Sequence, residues 1–224
     1  RQSLGVGIYI VLGISIPVVG NLAMPIIGFL CGVLTVFAVI IFSNKVDRGL
    51  SNNTVILAGM VLSLFTSAML TTITALCSED IKAITMWQMG SFAMKSWSYV
   101  FAGIPFFIIG IFMAVRYTRE MDILSFGEDG AKAIGVETKK VKKTLLVSVA
   151  ILTGSAVALS GVIGFIDLIT PHIVRKIFGS NHKIVIPMCI ILGGTLMVLT
   201  DLVSRTLISP SELPVGAITA LIGA

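Results

Sequence analysis

The stretch KKVKKTLLVSVAILTGSAVALSGVIGFI, residues 139–166, decides the fold. Four lysines in five residues are followed by 23 residues, 144–166, without a charge. A bilayer core of about 30 Å needs roughly 20 apolar residues in a helix, so this run is long enough to cross, and lysines mark the cytoplasmic end of such a segment. The same pattern recurs through the chain. Residues 2–44, 49–78 and 96–115 also carry no charge. PVVGNLAMP, Pro17 to Pro25, divides the first of these with the residues of a tight reversal. A shorter segment runs from after Gly164 to about Phe178, another span from Ile184 to about Thr200, and a last one from near Ser209 to Ala224. Eight spans are expected in all. None shows the alternation of a barrel strand, so they are predicted to be helices.

Composition agrees. Of 224 residues 56% are apolar and 12% charged, against about half and a quarter in a soluble domain, and the mean hydropathy is +1.03. This excludes a soluble enzyme, a disordered chain and a nucleic-acid-binding module. The net charge of +5 reflects loop polarity: with loops alternating in and out, twelve basic residues fall in 44–53, 116–143 and 172–183. Only Lys82, Lys95 and Arg205 fall in 78–97 and 201–212. The first set is placed in the cytoplasm and the second outside. Cys31, Cys77 and Cys189 are dispersed and suggest neither a disulfide framework nor a metal site. Glycines inside spans, such as Gly103, Gly110 and Gly193, suit close helix approach. Trp87 and Trp97 suit an interfacial belt, and Met86, Met89 and Met94 suit apolar packing more than metal binding.

The cytoplasmic loop 116–143 is expected to hold its own helix of about nine residues. Ser125-Phe-Gly-Glu128 has the spacing of a capping box, and Gly135 can close the far end in a left-handed conformation. Such a short helix is marginal alone in water, so it must pack on its own membrane domain or on a partner. Glu128 either caps or offers its charge to that partner.

These residues carry a resemblance. EDGAKAIG, with Glu128, Ala131 and Gly135, resembles the coupling loop of ABC importer permeases. LSFGEDGAKAIGV, SGVIGFIDLITPHIVRKIFGSNHKIVIP, DLVSRTLISPSELPVGAITALIGA, MWQMGSF and ILAGMVLS together resemble the FecCD family, which imports iron-siderophores, haem and cobalamin. The resemblance covers essentially the whole chain. It implies an all-α transmembrane bundle of ten helices, of which about two N-terminal spans and the end of the last helix are expected to be missing here. It also implies a second permease copy or related chain, a pair of ATPase subunits carrying ATP and Mg, and an extracytoplasmic binding protein. The ATPase-coupling residues it implies are Ser125, Gly127, Glu128, Ala131 and Gly135, with His172 of the PHIVR string on a second cytoplasmic surface. For the binding protein it implies Arg205 and Glu212. Two local alternatives stand beside these: Arg205 pairing with Asp201 one turn away, and Glu212 closing a capping box with Ser209.

Asp167 departs from the family pattern, which has a small or apolar residue there. A carboxylate in GVIGFIDLITP is costly in lipid and must be wet, paired or protonated. It is a candidate for the translocation path, with Ser155, Ser160 or Thr170 as alternative packing partners. No GxxxxGK[ST] loop occurs, so ATP must be handled by another subunit. His172 and His182 lack zinc-site spacing, and no nucleophile has a recognisable base, so a membrane enzyme is a poor reading. An ion-gradient-driven secondary transporter is the main alternative, although it expects more buried carboxylates than Asp167 alone.

Overall fold

The computed structural model describes residues 23–47, 51–76, 85, 88–93, 96–207 and 213–223. The described residues form helices and no strand. In chain order these are α1 (Ala23–Val46), α2 (Asn52–Leu76), α3 (Trp97–Arg116), α4 (Thr118–Leu124), α5 (Glu128–Ala133), α6 (Thr138–Ser160), α7 (Ile166–Phe178), α8 (His182–Thr206) and α9 (Val215–Gly223). Five of them, α1, α2, α3, α6 and α8, are long and apolar enough to cross a membrane. The chain is a multi-pass membrane protein.

Two boundaries of one helix differ from the expectation. The helix expected from residue 144 begins at Thr138, because lysine stems can lie along a helix while their ammonium groups reach water. It ends at Ser160, and residues 161–164 are not helical. The following helix, α7, lies where the shorter segment was expected; its 13 residues, about 20 Å at 1.5 Å per residue, are too few to cross alone. The first expected span lies outside the described residues.

The chain divides into two compact units. One comprises residues 1–88, 96–113 and 139–159, and the other 89–95, 114–138 and 160–224. In the first, α1 and α2 pack against each other, and Asp47 at the end of α1 accepts the Ser51 amide at 3.0 Å. Ser51 in turn caps α2 through the Thr54 amide at 3.4 Å. Helices α3 and α6 meet antiparallel through missing side chains. A Cβ on Gly103 would stand 2.5 Å from Leu159 Cδ1, and one on Gly110 2.5 Å from Leu152 Cγ. Between them Ser148 Oγ, fully buried, donates to the Gly110 carbonyl at 2.7 Å. Small residues thus replace the hydrophobic drive that lipid removes.

In the second unit α8 is the hub and packs on α4, α7 and α9. The break before α7 is held by backbone groups from distant segments. Ser91 donates its amide to Ser160 O at 2.9 Å, while the first amides of α9, Val215 and Gly216, donate to Gly90 O and Met89 O at 3.2 and 3.0 Å. The irregular backbone at this junction thus finds its hydrogen-bond partners inside the protein. It also fixes two glycines: a Cβ on Gly90 would lie 2.8 Å from Val162 O, and one on Gly216 would collide with Met89 O.

Candidate functional site

Segment 114–138 holds two short helices. The sequence reading missed α4, whose seven residues TREMDIL carry three charges and give no apolar run. Its presence overturns the expected capping box. Ser125 is the C-cap of α4, and its hydroxyl donates to Asp122 O at 2.7 Å, so it faces back along the chain. The N-cap of α5 is Gly127, at φ 115° and ψ 152°. The sign was the string GEDG: glycine is an acceptable N-cap, and acids in the first turn favour the positive helix end. The observed helix therefore has six residues, not nine.

Glu128 is used across the turn. Its carboxylate accepts from Thr138 Oγ1 at 3.4 Å and pairs with Lys132 at 3.4 Å, which raises the Lys132 pKa. The C-terminal expectation holds: Gly135, at φ 87°, closes α5. The Val136 amide reaches Ala131 O at 3.0 Å and the Gly135 amide reaches Lys132 O at 2.9 Å, the double bond of a Schellman ending. Ala131 is 0% exposed, so the small face is turned into the chain itself. Phe126 and Ile134, at opposite ends of α5, are 90% and 73% exposed.

A second tie was invisible in the sequence because its partners are 60 residues apart. Asp122 Oδ1 accepts both the His182 amide, at 3.0 Å, and His182 Nδ1, at 2.5 Å. The side-chain bond from His182, reinforced by the amide, holds the Asp122 pKa below its ordinary value of 3.8. Asn181 caps the same helix start through the Lys183 amide at 3.0 Å. Helix α4 is thereby fastened to the first turn of α8. His182, considered above only as a metal ligand, is a structural linker.

His172 is exposed on α7, a separate element from α5. Asp167 is exposed in the first turn of α7. The residue before that helix, Phe165, is non-glycine at φ 68°, and the Ile166 amide donates to Gly164 O at 2.9 Å. That is the strained form of the three-residue turn, costing about 1–3 kcal/mol. Further along α7, Pro171 has no N–H to give the Asp167 carbonyl. Of the alternative partners, Ser155 donates to Ile151 O at 2.8 Å and Thr170 Oγ1 is buried without a partner. Arg205 Nε pairs with Asp201 Oδ2 at 2.9 Å, the local pairing weighed above. Glu212, like Trp87, lies outside the described residues. Just inside that loop, Ser204 Oγ donates to Leu213 O, and Leu213 returns its amide to Ser204 O at 3.3 Å.

Three of the strings that carried the resemblance, MWQMGSF, GVIGFIDL and SELPVGAITAL, thus converge at one junction around Met89, Val162 and Gly216. Comparison with known proteins accounts for this. The model of the FecCD transport family matches residues 2–224. The chain belongs to the FecCD transport family. An uncharacterized ABC transporter permease protein of Bacillus subtilis is 42% identical over 190 residues, which are 85% of this chain and 54% of that protein. The hemin transport system permease protein of Yersinia pestis is 32% identical over 222 residues, 99% of this chain and 66% of its own length. The cobalamin import system permease protein of Halobacterium salinarum is 34% identical, over 76% of this chain and 46% of that protein. The chain spans about half to two thirds of the length of these relatives. A solved structure of an ABC transporter described as of metal-chelate type, in an inward-facing conformation, superposes with a TM-score of 0.89 at 31% identity. It covers 99% of this chain and 69% of the other.

Proposed function

We propose that this FecCD chain is the membrane-spanning subunit of an ATP-driven importer that accepts a bulky iron chelate, haem or a corrinoid from an extracytoplasmic binding protein. Family membership supports the class, and the names of the hemin and cobalamin relatives support the substrate range. The observation that carries the mechanism is the cytoplasmic pair α4–α5, closed at both ends and fastened to α8 through Asp122 and His182. ATP and Mg would be held by a separate ATPase pair, working on two permease copies or related chains.

In this reading α5 is the ATPase dock. Gly127 and Gly135 set its two ends, Glu128 locks it to Thr138, and Ala131 seats it on its own chain. Ser125 ends the supporting helix, and His172 lies on a second cytoplasmic surface. The contact itself falls to Phe126 and Ile134, because they are the large apolar groups left exposed at its ends. Arg205, with Asp201 as its resting partner, and Glu212 would meet the binding protein on the outer side. Asp167, at the strained break, would line the aqueous path. Transport is then a shift between inward-open and outward-open populations, biased by whichever state each partner binds better.

The test is reconstitution of the full-length permease with its ATPase and binding protein in vesicles. Uptake should require ATP hydrolysis and survive collapse of ion gradients. Phe126→Asp with Ile134→Asp should abolish ATPase association while leaving the permease folded. Uptake that persists without hydrolysable nucleotide and stops on addition of an ionophore would instead support the secondary transporter.

A further inference from the structure

Among the described residues Phe165 is the only one other than glycine with a positive φ. The strain is avoidable. Gly161 and Gly164 before it accept either hand, and a right-handed Phe165 would simply extend α7 by one residue, so something must hold it as it is. Helix α9, which packs on α7, does so through Gly223. A Cβ on Gly223 would overlap Phe165 Cδ1 and would lie 2.5 Å from Phe165 Cγ and 2.7 Å from Phe165 Cβ. The last distance is decisive. Rotation about χ1 moves the ring but leaves Cβ where the backbone puts it, so Phe165 yields to a methyl group on residue 223 only by changing its own φ and ψ or by displacing α9. Gly223 and Gly216 are seven residues apart, about two helical turns, and so share one face of α9. Between them Thr219 is 0% exposed and donates its hydroxyl to Gly216 O at 3.0 Å. The Gly216 end of that face is tied by its amide bonds to Met89 O and Gly90 O, whereas the contact at Gly223 is apolar. Phe165 is 38% exposed, so its ring is seated against a wall and not enclosed.

We propose that Phe165 is a two-state switch and that α9 is the clamp holding it in the strained state. Seated, the ring rests on Gly223, the Ile166 amide bonds back to Gly164 O, and α7 starts at Ile166. Released, residue 165 takes a right-handed conformation, gives up that bond and joins α7. The relaxed backbone is favoured at least about fivefold where nothing else acts. The seat on Gly223 must outweigh that ratio, and a methyl group at residue 223 is enough to reverse it. Asp167, in the first turn of α7, moves with the switch. The device belongs to α7 and α9 and does not depend on what drives transport.

The experiment places fluorophenylalanine at position 165 of the full-length permease in nanodiscs and reads its fluorine NMR spectrum. The seated resonance should dominate in the wild type. Gly223→Ala should raise the ratio of released to seated resonance at least about fivefold. Leu221→Ala, on the same helix but at a residue 80% exposed, should leave the ratio unchanged. Thermal melting in the Phe165→Gly background keeps the test decisive where Gly223→Ala alone fails to fold. Glycine at 165 offers neither ring nor Cβ to the new methyl and carries no strain, so Phe165→Gly with Gly223→Ala should melt with Phe165→Gly itself. A double variant destabilised as much as Gly223→Ala would show that the methyl strikes something other than Phe165 and would overturn the clamp. A single resonance, identical in the wild type and Gly223→Ala, would overturn the switch. Equal effects of Leu221→Ala and Gly223→Ala would do the same, reducing the change to a general loosening of α9.

Discussion

Three glycines within nine residues of the 116–143 loop should respond in opposite directions to the same added methyl group. Gly127, Gly130 and Gly135 all have open space where a Cβ would stand, so packing drops out and only backbone conformation remains. Gly130 lies inside α5, and alanine there should stabilise the helix by about 0.5–1 kcal/mol. Gly135, at φ 87°, should lose about 1–2 kcal/mol on the same change, because a left-handed backbone brings Cβ against the following carbonyl. Gly127, at φ 115° and ψ 152°, occupies a region almost closed to other residues, and alanine there should cost about 1–3 kcal/mol. Hydrogen exchange reads this directly. The Val136 and Gly135 amides, bonded to Ala131 O and Lys132 O, should exchange about 5- to 30-fold faster in Gly135→Ala and more slowly in Gly130→Ala. If α5 is the ATPase dock, subunit association should follow the same order. Exchange that moves in one direction for all three variants would refute the reasoning, since it would mean the loop is not held in this conformation.

Three other outcomes are expected. Gly110→Ala should separate α3 from α6 and cost about 1–3 kcal/mol, because the new Cβ would meet Leu152 Cγ at 2.5 Å; a melting temperature in detergent equal to wild type would contradict that packing. Asp122→Asn should cost about 1–2 kcal/mol, the scale of a hydrogen bond to a charged group that is partly exposed. Since the folded pKa of Asp122 lies below 3.8, its contribution is complete above that value and is lost as pH falls through the folded value, so the variant's acid-melting profile should be flatter there while the wild type's declines. Asp167→Cys should react with a small water-soluble thiol reagent at a rate that changes when ATP traps the transporter; a thiol inert in every nucleotide state, in a protein that still transports, would place Asp167 away from the path.

The parts of the fold legible in the sequence are those governed by transfer from water to lipid. That energy depends on composition over about 20 residues, so the runs now seen as α1, α2, α3, α6 and α8 stand out. The boundaries were less legible. Thr138 starts α6 six residues before its apolar run because a lysine stem is compatible with the membrane interface. The 116–143 loop shows the opposite case. Gly135 was readable because only glycine adopts its conformation cheaply, whereas Ser125-x-x-Glu128 fits a capping box only if nothing helical precedes it. Once α4 forms, Ser125 serves that helix as its C-cap. Local pattern allowed both, and tertiary packing of α4 on α8 selected one. Nothing local joins Asp122 to His182, or Met89 to Gly216.

Those long-range ties give the coupling proposal its mechanical content. Helix α8 has 25 residues, about 37 Å at 1.5 Å per residue, comparable with the bilayer core. Its first turn is held to α4 by two bonds to a single carboxylate oxygen of Asp122. Its last turn is held to residue 213 by reciprocal bonds between Ser204 and Leu213. The first amides of α9 then rest on the carbonyls of Gly90 and Met89, in the segment that also binds Ser160 at the break before α7. A displacement of α4–α5 by a partner therefore has a continuous route, through packed helix and paired backbone groups, to the strained turn at Phe165 and the carboxylate of Asp167. Cutting the route at Asp122 should uncouple the two ends without dissolving either, because α5 keeps its own caps and the α9 junction its own backbone bonds. Asp122→Ala, which removes the shared acceptor oxygen, should in the full transporter then retain ATPase association while the Asp167→Cys labelling rate loses its dependence on ATP. Nucleotide-dependent labelling that survives in the double variant would show that the signal reaches α7 by another path.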